Sequence, residues 1–368
     1  MEKPKIAIVH YWMTNLGGGE QVLLEMHKMY PDAPIYTSVY NAAALPQFAD
    51  ADIRTTWLQK FPFRFKHQFF APLRPFAFRS LDLSEYNIVL TSDAADAKNV
   101  RVSKDAVHIC YCNTPPRYYW SHYEDFMKNP GFGLLNPLVR VILRLLVGPL
   151  RRIDYSAAQK VDYFIGNAKF IKKRIKKYYD RDSAVIYAPV NTERFKPPQK
   201  KIKKYGFLHM GRMVPMKRID LIIQACNELK LPLKVAGRGT EIDSLRKLAG
   251  PTVEIIESPT DEQVNKLYWE AEAFIFAAEE DFGIVPIEAM ASGTPVLAYG
   301  KGGATETVIA GKTGDFFEAQ TVESLVAALK KFDPSKYKKQ DLLDRAAYFS
   351  EESFRKNLKA FVESKHKK

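Results

Sequence analysis

Apolar residues in this chain cluster in short, predominantly apolar runs rather than in strict alternation with polar ones. Runs at 6–9, 87–90, 107–111 and 162–165 punctuate the first half, and runs at 207–210, 233–236, 253–256, 273–277 and 295–298 the second. Glycine, proline or polar clusters bound each run, and longer amphipathic stretches separate them. A strand buried on both faces reads as a continuous apolar run, so the pattern predicts parallel sheets covered on both sides by helices. Around 189–204, Pro197 and Pro198 stand beside a lysine cluster, which suits an exposed connector better than a core element. Two α/β domains are expected, one on each side of it. A last helix pattern over 353–362 precedes a polar, lysine-rich tail.

The chain has 368 residues, 46% of them hydrophobic, enough for two cores. With 26% charged residues and a mean hydropathy of −0.27, it is neither a polytopic membrane protein nor a disordered one. Cys110, Cys112 and Cys226 form no disulfide framework and no zinc spacing, which favours a reducing, cytoplasmic compartment. The run at 6–9 is too short for a secretion signal. Fifty-five basic against 42 acidic residues give a net charge of +13. Such a balance predicts a polyanionic partner: nucleic acid, an anionic membrane or a phosphorylated small molecule.

Candidate chemistry collects where the apolar runs end. The run 273–277 leads into Glu280, Asp281, Phe282, Gly283 and Ile284, then into a helix pattern that Pro286 opens and Gly293 closes. Glu280 is expected in the strand-to-helix loop and Glu288 in the first helical turn. Open α/β sheets bind ligands beyond the carboxyl ends of their strands. Free amides of a helix start meet phosphate there, and carboxylates accept hydrogen bonds from sugar hydroxyls. The plainer reading of Glu288 is a carboxylate that stabilises the helix dipole. After 207–210, Gly211 ends the run, and Arg212 and Lys217 occupy a loop before a helix from Ile219. They are either the fork and the point charge that neutralise a diphosphate or ordinary solvated charges. Gly17, Gly18 and Gly19, followed by Glu20, come soon after the first run, and Gly237, Arg238 and Gly239 follow 233–236. Both sets allow close backbone approach to an anion, or simply turn the chain.

Taken in order, these pieces resemble the retaining glycosyltransferases of family 4. The resemblance rests on Gly17-Gly18-Gly19-Glu20, Gly211-Arg212 with Lys217, Gly237-Arg238-Gly239, and the pair Glu280 and Glu288 enclosing Phe282-Gly283-Ile284. Ala289, Met290, Ala291, Gly293, Pro295 and Val296 extend it, as do Gly302, Gly303, Glu306, Gly311, Thr313 and Gly314. It implies the GT-B fold, an α/β arrangement of two Rossmann-like, doubly wound parallel-sheet domains facing a central cleft. Residues 1–190 would bind acceptor and 200–349 a nucleotide sugar, with a C-terminal helix at about 350–368 packing back on the first domain. By the same resemblance, Arg212 and Lys217 hold the donor diphosphate, Glu288 the ribose and Glu280 the transferred sugar. Asp281, Phe282, Gly283, Ile284, Gly211 and Gly237 complete the donor pocket, and Gly17 and Gly18 close over the phosphates. Transfer would retain anomeric configuration by front-face attack, with the nucleotide sugar as substrate and no metal or other cofactor.

A further segment, Cys110 to Trp120, is similar to the C-H-T-P-x-R-Y-x-W stretch of bacterial polysaccharide mannosyltransferases of that family. Asn113 stands where those enzymes have histidine. The similarity implies a hexose, mannose from GDP-mannose, moved to a glycan or a polyprenyl-diphosphate-linked saccharide. Asparagine both donates and accepts hydrogen bonds, so Asn113 remains a catalytic candidate. The exchange also motivates a second reading, a catalytically lapsed sugar-nucleotide binder. A basic nucleic-acid-binding protein is the third reading, although no nucleic-acid partner is expected.

Three further stretches complete the sequence picture. Asp180-Arg181-Asp182 follows a lysine-rich helix pattern and reads as a solvated turn rather than a metal motif. The segment 136–147 reads as a helix capped by Asn136, with Pro149 stopping or kinking it. Arg140, Arg144 and Arg151 would fall within about 40° of one another if it continued. Eleven residues span only about 16 Å, too short to cross a bilayer. Such a helix either lies in a membrane interface with its arginines on anionic headgroups or is a core helix with a basic face. The stretch 60–70 interleaves phenylalanine with Lys60, Arg64 and Lys66. The last two of these, 136–147 and 60–70, suggest peripheral attachment to the inner face of the plasma membrane.

Overall fold

The computed structural model describes residues 4–65, 70–128, 130–131, 133–199 and 202–366. The chain forms two compact units, Met1–Ala188 with Phe354–Lys368, and Pro189–Ser353.

In unit 1, β1 (Ile6–His10), β2 (Ile35–Thr37), β3 (Ile53–Thr55), β4 (Ile88–Asp93), β5 (Val107–Cys112), β6 (Tyr163–Gly166) and β7 (Ser183–Val185) make one sheet. Its order is β3-β2-β1-β4-β5-β6-β7, and every pairing is parallel. The runs read from sequence are its central strands. Three-residue strands such as Ile35–Thr37 left no run long enough to see. Helices cover both faces with apolar stripes: Lys169–Tyr179 buries Ile171, Ile175 and Tyr179 and turns its lysines outward. The terminal helix Glu351–His366 buries Phe354, Leu358 and Val362, and Phe354 meets the Tyr111 ring edge-on at 5.6 Å.

Unit 2 repeats the plan with β8 (Phe207–Arg212), β9 (Leu233–Arg238), β10 (Val253–Glu257), β11 (Ala273–Phe276), β12 (Val296–Tyr299) and β13 (Gly314–Phe317), in the order β10-β9-β8-β11-β12-β13. All its pairings are parallel as well. Ile222, Ile223, Val235, Ile275 and Leu297 are at the centre of a core that Leu325 and Leu329 close from the helix side.

Several expectations need correction. The segment beginning at Asn136 is one helix of 24 residues, Asn136–Gln159, that runs straight through Pro149 and is about 36 Å long. Pro149 is exposed, and so is Leu145, whose carbonyl loses its helical partner there, so water can satisfy that carbonyl. Its N-cap is Leu135, not Asn136. Of the three arginines expected on headgroups, two are not free: Arg140 donates to the carbonyls of Met127 and Lys128, and Arg151 to that of Tyr119, whereas Arg144 is exposed with no ion pair or hydrogen bond among the described residues. In its first half the helix also exposes apolar side chains, Leu138, Val141, Ile142 and Leu145. By length and composition Gly133–Gln159 is long and apolar enough to cross a membrane. From Val147 onward, however, it buries Leu150, Asp154, Ala157 and Ala158 inside unit 1. In the aromatic stretch, Lys66, His67, Gln68 and Phe69 lie outside the described residues, while Phe61, Phe63 and Phe65 are exposed. Asp180 and Asp182 are the solvated turn expected, both paired with Lys176.

Candidate functional site

In unit 2 the strand order reverses between β8 and β11, with β9 and β10 to one side and β12 and β13 to the other. Ligands of open α/β sheets bind at such a switch point, beyond the carboxyl ends of the strands. Gly211 and Arg212 are the last two residues of β8, so Arg212 ends the strand rather than following it in the loop. Gly237 pairs with Gly211 in register, and a Cβ on Gly237 would lie 1.8 Å from the Gly211 carbonyl oxygen. Only glycine lets the two strand ends approach this closely. Arg212 is exposed and has no ion pair among the described residues. Lys217, at the end of the turn Pro215–Lys217, is buried, and its ammonium pairs with Glu280 Oε1. The loops leaving β8 and β11 are thereby joined by one ion pair at the switch point.

The loop after β11 is held from several sides. Gln320 Nε2 donates to the Ala277 carbonyl at 2.7 Å, and the Gly303 amide to the Glu280 carbonyl at 2.7 Å. A Cβ on Gly303 would sit 2.3 Å from the Phe282 oxygen, and one on Gly302 2.6 Å from that of Glu280. These glycines allow a neighbouring loop to lie against the backbone of 280–282 and fix its course. Asp281 and Phe282 are buried, the latter with its ring 5.7 Å from that of Phe349. Gly283, at φ +80°, caps the helix Ile284–Ala291, and no side chain caps its first turn. That leaves the early amides as donors for an incoming anion.

Glu288 is not in the first turn. The left-handed Gly283 starts the helix two residues ahead of Pro286, which places Glu288 fifth and rules out the dipole-capping role. Its Oε2 instead accepts a 2.8 Å hydrogen bond from the Tyr268 hydroxyl, and burial pushes its carboxyl above the ordinary range. Tyr268 carried no signal in the sequence reading, because its contact crosses from another helix.

His209 was missed as well. It is fully buried within β8, with Nδ1 3.0 Å from the Ile275 carbonyl and Nε2 without a hydrogen-bond partner among the described residues. Burial lowers it to about 4, and it does the same to His108 in unit 1. The unfolded chain protonates such rings near the ordinary value of about 6.5. In that window the unfolded state binds more protons, so the stabilisation is intact above pH 6.5 and lost as pH falls towards 4. Each ring should cost about 2 kcal/mol between pH 7 and pH 5. Denaturant titrations at the two pH values check this, with His209→Gln narrowing the difference by about that amount.

Unit 1 has its own reversal between β1 and β4. Gly17 is the N-cap of the helix Gly18–Met29 that follows β1. Glu20 is buried beneath it, with Oε1 3.7 Å from His10 Nε2. A Cβ on Gly19 would lie 2.0 Å from the Tyr11 hydroxyl, so close packing accounts for the third glycine. Asn113 follows β5; its amide donates to the Asp93 carbonyl at 2.7 Å and its Nδ2 to Ser92 Oγ at 3.1 Å. The unit 1 candidates thus gather at the carboxyl edge of their sheet, as the others do in unit 2. Among the described residues, no group of three or more His, Cys, Asp and Glu side chains is arranged to hold a metal.

Residues 190–348, which hold all of the unit 2 candidates, match the family model of glycosyl transferases group 1. Together with the two parallel-sheet domains, structural neighbours show the fold to be GT-B. The crystal structure of Anabaena HepE in complex with UDP superposes with a TM-score of 0.71 at 17% identity, covering 98% of this chain and 100% of that one. Sucrose-phosphate synthase from Thermosynechococcus elongatus does so at 0.69 and 15%, covering 98% and 99%.

Among curated proteins, the chain is 28% identical over 210 residues to a GDP-mannose-dependent alpha-(1-6)-phosphatidylinositol monomannoside mannosyltransferase of Mycolicibacterium smegmatis. That match covers 49% of this chain and only 54% of the relative's length. It is also 26% identical to the human alpha-1,3/1,6-mannosyltransferase ALG2 over 66% of this chain and 67% of that protein.

Proposed function

We propose that this chain is a retaining hexosyltransferase that moves mannose from GDP-mannose to a glycan or a lipid-linked saccharide. The observation that carries the reading is the assembly at the β8/β11 switch point: Arg212, the Lys217–Glu280 pair and the uncapped start of Ile284–Ala291. A diphosphate brought there takes Lys217 as its counter-ion, and Glu280, released from the ammonium, accepts hydrogen bonds from sugar hydroxyls. Glu288, oriented by Tyr268, accepts from the ribose. The anomeric bond to the diphosphate breaks, the acceptor oxygen bonds to the same face, and its proton passes to a leaving phosphate oxygen. Negative charge grows on that leaving group, and preorganised cations and amides stabilise it without a metal. Within unit 1, Gly17 and Gly18 at a helix start and Asn113, held by Asp93 and Ser92, remain the candidates for phosphate and sugar hydroxyls.

Mannose and guanosine are supported by the names of the mannosyltransferase relatives and by the 110–120 segment. A panel of GDP-mannose, UDP-glucose and UDP-N-acetylglucosamine, read by thermal shift and then by turnover, tests the reading. GDP-mannose should stabilise most and be consumed. Binding without turnover on any acceptor favours the lapsed binder that Asn113 suggests, and no stabilisation by any sugar nucleotide ends the proposal.

The lipid-linked acceptor fits a cytoplasmic protein bound peripherally to the inner membrane face, now through a different surface from the one expected. Leu138, Val141, Ile142 and Leu145 stand exposed along the helix Asn136–Gln159, and Leu134 and Leu135 just before it. Beside them is an apolar pocket of about 280 Å³ between that helix and Trp12, Pro72 and Tyr118. Contact through leucines rather than arginines makes binding resistant to salt. Sedimentation with anionic liposomes should therefore persist at high salt and fall about tenfold or more in Leu138→Glu/Leu145→Glu. Release by salt alone would contradict it.

A further inference from the structure

Away from the strand ends that carry these residues, unit 1 holds a cavity of about 450 Å³. It lies at the amino-terminal edge of the sheet: His108 is the second residue of β5, and Lys160 directly follows the helix that leads into β6. Arg79, Asn99, Arg101, His108, Ser156 and Lys160 are among its walls, and among the described residues no carboxylate residue lines it.

Many arginines of this unit are tied to partners: Arg54 to Asp52, Arg74 to Asp96, and Arg140 and Arg151 to backbone carbonyls. Those of the cavity are different. Arg101 and Lys160 make no ion pair among the described residues, and Arg79 makes a long 3.4 Å hydrogen bond to Asn99 Oδ1. Lys98, also in the wall, does not count with them, because its ammonium is already balanced by Asp93 and Asp154. Three cations lining one hollow without a counter-charge repel one another, and an anion among them relieves that repulsion.

Two features nearby bear on an anion, and both are compensated. The carboxyl end of the helix Asn136–Gln159 would present free carbonyls, the negative end of its dipole. Arg181 covers that end, with Nη1 donating to Ala158 and Gln159 at 2.9 and 3.1 Å and Nη2 to Val161 and Asp162 at 2.6 and 3.1 Å. The Asp162 carboxylate itself accepts the His108 amide at 2.8 Å.

We propose that this cavity is a binding site for a small phosphate-bearing anion, with Arg79, Arg101 and Lys160 supplying charge and Ser156 and His108 neutral hydrogen bonds. The proposal is independent of the transferase reading, since every residue in it belongs to one unit and none to the candidate donor site. The volume admits a phosphate monoester as well as free phosphate, and the two share the chemistry that the cations recognise.

Isothermal titration of the full chain with inorganic phosphate and with glycerol phosphate tests it. Arg101→Ala/Lys160→Ala removes two exposed side chains, and circular dichroism checks that its fold is kept. Arg212→Ala controls for phosphate held at the donor site. The expected result is saturable binding that weakens by about tenfold or more in the double variant and is unchanged in Arg212→Ala. Tighter binding of glycerol phosphate than of free phosphate would assign the ligand as a monoester, and the reverse order as the free ion. Absence of saturable binding to the wild-type chain overturns the site. So does binding that Arg212→Ala weakens and the double variant leaves alone.

Discussion

On the proposed reading, Arg212→Ala should lower the rate of hexosyl transfer by about a hundredfold or more while the melting temperature stays within about 2 °C of the wild type. The two halves of that expectation come from one observation. Arg212 ends β8 at the switch point, exposed and without an ion pair among the described residues, so the folded chain gains little from its charge. A cation kept at such a place stabilises something that arrives, and a diphosphate leaving group develops its charge in the transition state. Lys217→Ala makes the same test less cleanly, because it also leaves Glu280 without its ammonium. Combining it with Glu280→Gln separates the effects: stability returns towards the wild-type value while transfer stays slow. Steady-state rates and melting curves of the four proteins check this. Arg212→Ala turning over at the wild-type rate would remove the donor diphosphate from this position.

That the sequence could be read this far follows from where each signal lives. A buried parallel strand is a run of four to six apolar residues, and glycines at its end mark a close backbone approach, so β8 and β9 with Gly211 and Gly237 were legible together. The structure supplies the reason for the second glycine, which no run of residues displays: a side chain at Gly237 would enter the Gly211 carbonyl. What stayed hidden was contact across elements. Nothing near Lys217 announces that it meets Glu280, 63 positions away, or that Tyr268 holds Glu288. Glu288 was placed one turn too early because proline marks a helix start only within a residue or two, and a left-handed Gly283 took that role first. Pro149 misled in the opposite sense. A proline on the wet side of a helix costs it a hydrogen bond that water replaces, so the helix Asn136–Gln159 is twice as long as the pattern suggested. Its face followed from that length: Arg140 and Arg151 turned to carbonyls, and the leucines were left outside beside Arg144.

The second large effect is on stability, at Lys98. Its ammonium lies 3.0 Å from Asp93 Oδ2, 2.5 Å from Asp154 Oδ1 and 2.9 Å from the Ala95 carbonyl, and all three charged side chains are about 2% exposed or less. Asp154 Oδ2 accepts from Trp120 Nε1 at 2.7 Å and from the Tyr179 hydroxyl at 2.9 Å, while Asp93 Oδ1 accepts the amides of Ala95 and Ala97. One lysine thus ties the end of β4 to the helix Asn136–Gln159, and Asn113 hangs on the same Asp93 backbone. Lys98→Met keeps most of the volume and leaves two buried carboxylates facing each other, which should cost about 3–5 kcal/mol, or roughly 10 °C in the melting of unit 1. Burial works to raise the Asp93 carboxyl, and Lys98 with the two amides holds it below the ordinary range nonetheless. In the wild type that contribution is present above the unfolded pKa and lost as pH falls. In the variant Asp93 protonates more easily, so the deficit against wild type shrinks as pH is lowered from 7 to 5. Adding Asp154→Asn to Lys98→Met should recover part of the loss at pH 7, since one of the stranded charges is gone. Denaturant unfolding at both pH values measures all of this, and a Lys98→Met chain within about 1 kcal/mol of wild type at pH 7 would show that the buried pair contributes little.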